Sequence, residues 1–149
     1  MLQIRRIVCP IDFSETSDHA LRYALELAER FDATLLVVHA YQLTTFGLVE
    51  APILPAEEYV SRLRTDLMRA LDDVARRYSG RRTTIDRTLV EGVPWAEIVR
   101  IAEEHHADMI VMGTHGRSGL RHVVLGSVAE RVVRMAHCPV VTVRGSKES

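Results

Sequence analysis

Short apolar runs alternate along this chain with longer stretches in which apolar residues recur every three or four positions. Ile4 to Cys9 reads as a first strand, ending at Pro10-Ile11-Asp12. Ser14 is placed as an N-cap, with Glu15 and Asp18 complementing the dipole of the following helix. Leu21, Ala24, Leu25, Ala28 and Phe31 then line one face, so the spacing predicts an amphipathic helix over Glu15 to Phe31. Thr34 to Ala40 is a continuous apolar run, the pattern of a strand covered on both faces. Tyr41 to Leu54 has no period and contains Gly47 and Pro52, which predicts a long loop over whatever binds at the sheet.

The second half repeats the alternation. Pro55 opens a helix with Glu57 and Glu58 in its first turn, and Val60, Leu63, Leu67, Leu71, Val74 and Tyr78 form its stripe. Ser79-Gly80 stops it, and Thr83 to Val90 is a third strand. A helix begins at Gly92-Val93-Pro94 and runs to about His106. Asp108 to Met112 is a fourth strand, Val128 to Ala136 a fourth helix, and Pro139 to Val143 a fifth strand. Strands alternating with helices predict an α/β fold: a doubly wound, five-stranded parallel sheet with helices on both faces. Right-handed crossovers favour the order 3-2-1-4-5. In that order the winding reverses between strands one and four, and ligands bind beyond the carboxyl ends of strands at such a switch point. Asp12 and Gly113, distant in sequence, are expected to meet in one crevice.

Nothing linker-like divides the 149 residues, which suit one domain. Lys plus Arg is 19 against 20 for Asp plus Glu, a formal net charge of −1 that gives no support to nucleic-acid binding. From Gly113 onward, however, Arg117, Arg121, Arg131, Arg134, Arg144 and Lys147 face only Glu130 and Glu148. A positive field there favours a phosphorylated small molecule, although solvated helix faces account for most of these residues. No apolar run approaches the roughly 20 residues that span a bilayer, and no signal-peptide pattern is present. Cys9 and Cys138, without C-x-x-C spacing, suit a reducing compartment, so a cytoplasmic location is expected.

The chemistry concentrates in Met112-Gly113-Thr114-His115-Gly116-Arg117-Ser118-Gly119 and the later Gly126-Ser127-Val128. Three glycines within seven residues, at the end of a strand, leave the main chain free to take positive φ and to approach a ligand closely. Gly126-Ser127 then opens a helix, whose N-terminus attracts anions. Both familiar phosphate schemes are missing. No lysine follows any of these glycines, and the first strand–helix turn, Pro10 to Ser14, holds no glycine at all.

What remains is Gly113-x2-Gly116 followed after nine residues by Gly126-Ser127. This pattern resembles the signature Gly-x2-Gly-x9-Gly-(Ser/Thr) of the ATP-binding branch of the universal stress protein family. The resemblance extends to Pro10-x-Asp12-x-Ser14, Val38-His39-Ala40 and Pro139 to Val143, covering nearly the whole chain. It implies a cytosolic stress-response regulator that binds ATP or a related adenine nucleotide, with Mg²⁺ arriving on the phosphates. Pro10, Ile11 and Asp12 would contact adenine or ribose, the Asp12 carboxylate accepting from ribose hydroxyls. Ala40 would line the adenine pocket, where that family more often carries a larger aliphatic residue, and Met112 would pack on the nucleotide. Gly113 and Gly116 would turn amides towards phosphate, Arg117 would add charge, and Ser127 with the Val128 amide would bind phosphate at the helix start. His115 either touches phosphate or holds the loop.

Other features read as structural. His39 ends a buried strand as a core residue, Trp95 packs at a helix start, and His105 and His106 serve a helix end. Two further function classes stay open. One is an enzyme, at most a slow ATPase or an adenylyl-transferring domain, for which no base near a γ-phosphate is apparent. The other is a nucleotide-independent chaperone or adaptor, against which the intact glycines argue. The resemblance also implies a homodimer through the edge strand Val140 to Val143, with Val141→Pro expected to dissociate it, and a regulatory partner of unknown identity.

Overall fold

A computed structural model of the chain describes residues 1–43, 55–116 and 125–145. It holds five strands, β1 (Arg6–Pro10), β2 (Thr34–Tyr41), β3 (Ile85–Glu91), β4 (Met109–Gly113) and β5 (Val140–Val143), and four helices, α1 (Glu15–Phe31), α2 (Ala56–Arg77), α3 (Pro94–Glu104) and α4 (Ser127–Met135). The strands form one all-parallel sheet in the order β3-β2-β1-β4-β5. Most of the loop expected over Tyr41 to Leu54, together with Arg117, Ser118, Gly119, Arg121 and Lys147, lies outside the described residues.

Strand alternation sorts the core into two layers. Ile7, Cys9, Leu35, Val37 and Val111 cluster with Leu21, Ala24, Leu25 and Ala28 of α1 and Leu71 and Val74 of α2. Their immediate neighbours Val8, Val38, Ile110 and Met112 cluster with Ile98, Ile101 and Ala102 of α3 and Ala129 and Val132 of α4. A period of two along each strand thus feeds both faces. Phe31, predicted to complete the α1 stripe, is instead 44% exposed. It is the last helical residue, and Asp32 turns the chain away at φ 56 while the Ala33 amide returns to the Ala28 carbonyl at 2.8 Å. In α2 only Leu71 and Val74 are fully buried; Val60, Leu63 and Leu67 are half-buried.

Local chemistry sets where the site falls. β1 stops at Pro10, which has no amide to continue the ladder. The Ser14 hydroxyl caps α1 by accepting from the Ser17 amide at 3.2 Å, as its position predicted. Pro94 occupies the first turn of α3, where its missing amide costs nothing.

Cys9 is fully enclosed and burial pushes its thiol far above the ordinary range; Cys138, half-buried near Asp108, shifts the same way, chiefly through desolvation. Iodoacetamide at pH 8 is therefore expected to leave Cys9 unlabelled until the protein unfolds, as peptide mass mapping can check. The folded state holds the Cys9 proton more tightly than the unfolded chain does. Its contribution to stability is complete below about pH 8.5 and declines as pH rises beyond that value.

Candidate functional site

The first lip of the site is the turn after β1. The Ile11 amide still donates to the Val38 carbonyl at 2.8 Å, one step past the strand. Asp12 then folds back, its Oδ1 accepting from the Ser14 amide at 3.0 Å, while Phe13 takes the left-handed region at φ 63. This turn fixes the Asp12 carboxylate over the carboxyl end of the sheet.

The second lip follows β4. The Thr114 amide donates to the Val143 carbonyl at 2.9 Å, and its own carbonyl accepts from the Gly126 amide at 2.6 Å. Buried Thr114 therefore ties the end of β5 and the start of α4 to the same residue. Its hydroxyl lies 3.0 Å from His115 Nδ1. The first intrahelical bond of α4 runs from the Glu130 amide to the Gly126 carbonyl. The amides of Ser127, Val128 and Ala129 precede it and have no intrahelical acceptor. Gly126, the N-cap, brings no side chain to cover them.

Between the lips lies a pocket of about 320 Å³, open to solvent and of a size suited to a small ligand. Pro10, Ile11, Asp12, Ala40, Met112, Gly113, His115, Gly116, Gly126, Ser127 and Val128 all line it. Of the positions expected to contact the nucleotide, Arg117 alone lies outside the described residues. Ser17, Thr114, Ala129, Pro94 and Ile98 also line the pocket, although the sequence assigned none of them a ligand contact. Pro94 and Ile98 stand one turn apart on α3 and make an apolar wall with Ala40 and Met112. Asp12 and His115 are the titratable side chains on the lining among the described residues.

Of the two uses expected of the glycines, positive φ is not the one taken by those described. None of Gly113, Gly116 and Gly126 takes positive φ. Close approach is the reason for them instead. A Cβ on Gly116 would sit 2.6 Å from Asp12 Oδ2, and one on Gly113 would sit 2.8 Å from Thr16 Cγ2 and 3.3 Å from the Thr16 main chain.

The main chain of β2 adds two polar groups. Thr34 donates to the Arg5 carbonyl and the Val38 carbonyl accepts from Ile11, so even-numbered residues of β2 face β1. Leu35 donates to the Thr84 carbonyl and the Tyr41 carbonyl accepts from Gly92, so odd-numbered ones face β3. The amide and carbonyl of Ala40 point to the β1 side, beyond the point where β1 has ended. Among the described residues no main-chain bond reaches either group from that side.

A doubly wound sheet with a glycine-lined cleft at its switch point defines a class, and comparison with known proteins gives the family. Residues 3–144 match the universal stress protein family, and the chain belongs to it. Universal stress protein MJ0531 of Methanocaldococcus jannaschii is 39% identical over 145 residues, covering 97% of this chain and 84% of that protein. The solved structure of MJ0577 from the same organism, described as a structure-based assignment of biochemical function, aligns with a TM-score of 0.81 at 28% identity, covering 99% of this chain and 100% of that one. A universal stress protein solved in complex with cAMP aligns with a TM-score of 0.73 at 24% identity, covering 97% and 100% of the two chains.

Proposed function

We propose that residues 1–149 act as one cytoplasmic adenine-nucleotide-binding domain, with ATP as the nucleotide, and that occupancy of the cleft regulates a partner in a stress response. One observation carries the reading: a single pocket joins an apolar wall to a cluster of main-chain amides. The wall of Ala40, Pro94, Ile98 and Met112 suits a flat base. The uncapped start of α4 and the bare main chain at Gly113 and Gly116 suit phosphate. The cAMP named for the related structure belongs to the same ligand class.

In this arrangement the Asp12 carboxylate accepts from ribose hydroxyls, and Ala40 meets the base through its main chain. Ser127 and the amides of α4 hold phosphate, with Arg117 adding charge and His115 standing beside the loop. Mg²⁺ comes with the phosphates, whose oxygens supply its ligands. Calorimetric titration with ATP, ADP, AMP and cAMP tests the proposal. Saturable binding supports it, and no heat at millimolar ligand removes it.

A homodimer through β5 belongs to the same proposal. Among the described residues β5 pairs only with β4, at one edge of the sheet. The Ile110 and Thr114 amides donate to the Pro139 and Val143 carbonyls. Odd-numbered residues of β5 therefore face β4, while Val140 and Thr142 face outward. Val141→Pro is consequently the wrong probe, because it would break a rung within the chain. Thr142→Pro removes an outward donor and is expected to halve the mass seen by light scattering. An unchanged mass would argue against pairing through this edge.

A further inference from the structure

The Ala40 amide lacks the rung that a continued ladder would give it, and its neighbour occupies the carbonyl that would accept that rung. In a parallel ladder, the rung after Ile11 amide to Val38 carbonyl is Ala40 amide to Ile11 carbonyl. The Ile11 carbonyl instead lies 2.7 Å from Nδ1 of His39. A carbonyl only accepts, so Nδ1 carries the hydrogen. The imidazole is held against the Phe13 ring, with centroids 4.6 Å apart and planes tilted by 49°. Phe13 itself, at φ 63, carries the chain away from β2. Strand alternation places His39 on the side of Leu35 and Val37, the α1–α2 face, and it does not line the pocket.

We propose that His39 is a positioning residue: it holds the Ile11 carbonyl, opens the β1–β2 ladder one rung early, and so presents the amide and carbonyl of Ala40 to the base. The inference rests on the nucleotide reading above and deepens it. Ala40, Pro94, Ile98 and Met112 offer the base no strong hydrogen-bonding side chain, so the main chain supplies polar recognition at this end. An amide and a carbonyl of one residue, pointing the same way, match a ring-nitrogen acceptor beside an exocyclic amino donor. That pair is the edge of adenine. His39 never touches the ligand; it keeps the reading edge unpaired.

The test compares His39→Leu and His39→Asn with the wild type, titrating each with ADP and with tripolyphosphate, which has no base. His39→Leu is expected to weaken ADP about tenfold, as for one lost hydrogen bond, and to leave tripolyphosphate within twofold. His39→Asn keeps an N–H donor near the Nδ1 position and is expected to restore ADP to within threefold of wild type. ADP binding by His39→Leu within twofold of wild type overturns the proposal, as does a parallel loss of both ligands. Amide hydrogen exchange provides a readout that needs no ligand and no altered fold. The Ala40 amide of the wild type should exchange much faster than that of Val37, and slow down in His39→Leu as the missing rung forms. A protected Ala40 amide in the ligand-free wild type overturns the role of His39. A wild type that binds no nucleotide overturns the function proposed above, while the exchange measurement still decides what His39 does to the ladder.

Discussion

Gly116→Val is expected to weaken adenine-nucleotide binding at least a hundredfold while the chain stays folded. A Cβ at this position would lie 2.6 Å from Asp12 Oδ2 and, among the described residues beyond its chain neighbours, meets no main-chain atom within 4 Å. The carboxylate, the free end of a side chain, is what yields, so the fold survives. Binding does not, because Asp12 is moved off the pocket lining and two methyl groups fill the floor on which phosphate is proposed to rest. A lost hydrogen bond to a charged group accounts for about 1.5–3 kcal/mol, and a hundredfold change corresponds to about 2.7 kcal/mol. Gly113→Val makes the informative contrast. Its Cβ would press on Thr16, including that residue's main chain in the first turn of α1. Overpacking of this kind costs about 1–3 kcal/mol of stability. Calorimetry with ADP and a thermal melt on both variants separate the two effects. A Gly116→Val protein binding within threefold of wild type would remove Asp12 and this loop from the proposed nucleotide contacts.

The contrast also shows what the sequence could and could not reveal. Strand order was legible because short apolar runs alternate with stretches of three-to-four spacing from Ile4 to Val143, broken only by the aperiodic Tyr41 to Leu54. The switch point followed from that order, and with it the meeting of Asp12 with Gly113. The glycines were visible as glycines, but not the reason for them. Backbone freedom and lack of a Cβ look identical in sequence, and only the distances to Asp12 and Thr16 distinguish them. Pro94 and Ile98 were hidden because their spacing is that of any buried helix face. The signal lay in the topology: α3 shares a sheet face with α4, so its first turn must open onto the same crevice. Main-chain groups were hidden altogether. The open rung at Ala40 depends on which carbonyl His39 reaches, and residue type records no such thing.

Leu25→Ala is expected to carry the largest loss of stability of any single truncation in α1, about 3 kcal/mol. Leu25 is completely buried in the layer that holds Ile7, Cys9, Leu35 and Val111, and α1 lies across β1, β2, β4 and β5 together. The cavity left by the missing carbons cannot collapse by moving one strand, because the ladders hold the sheet in register on both sides of β1. At roughly 2–4 °C per kcal/mol for a chain of this size, the melting temperature should fall by about 6–12 °C. Tyr23→Ala, two residues earlier on the half-exposed side of the helix, should cost far less and controls for helix propensity. The consequence reaches the site, because α1 begins at the Ser14 cap and holds Thr16 against Gly113 and Ser17 against the Asp12 amide. If the site is built on that helix, ADP should recover in Leu25→Ala part of the stability lost to heat, in proportion to ligand concentration over Kd. A loss below 1 kcal/mol in urea melts would mean that α1 does not seat on the sheet as described.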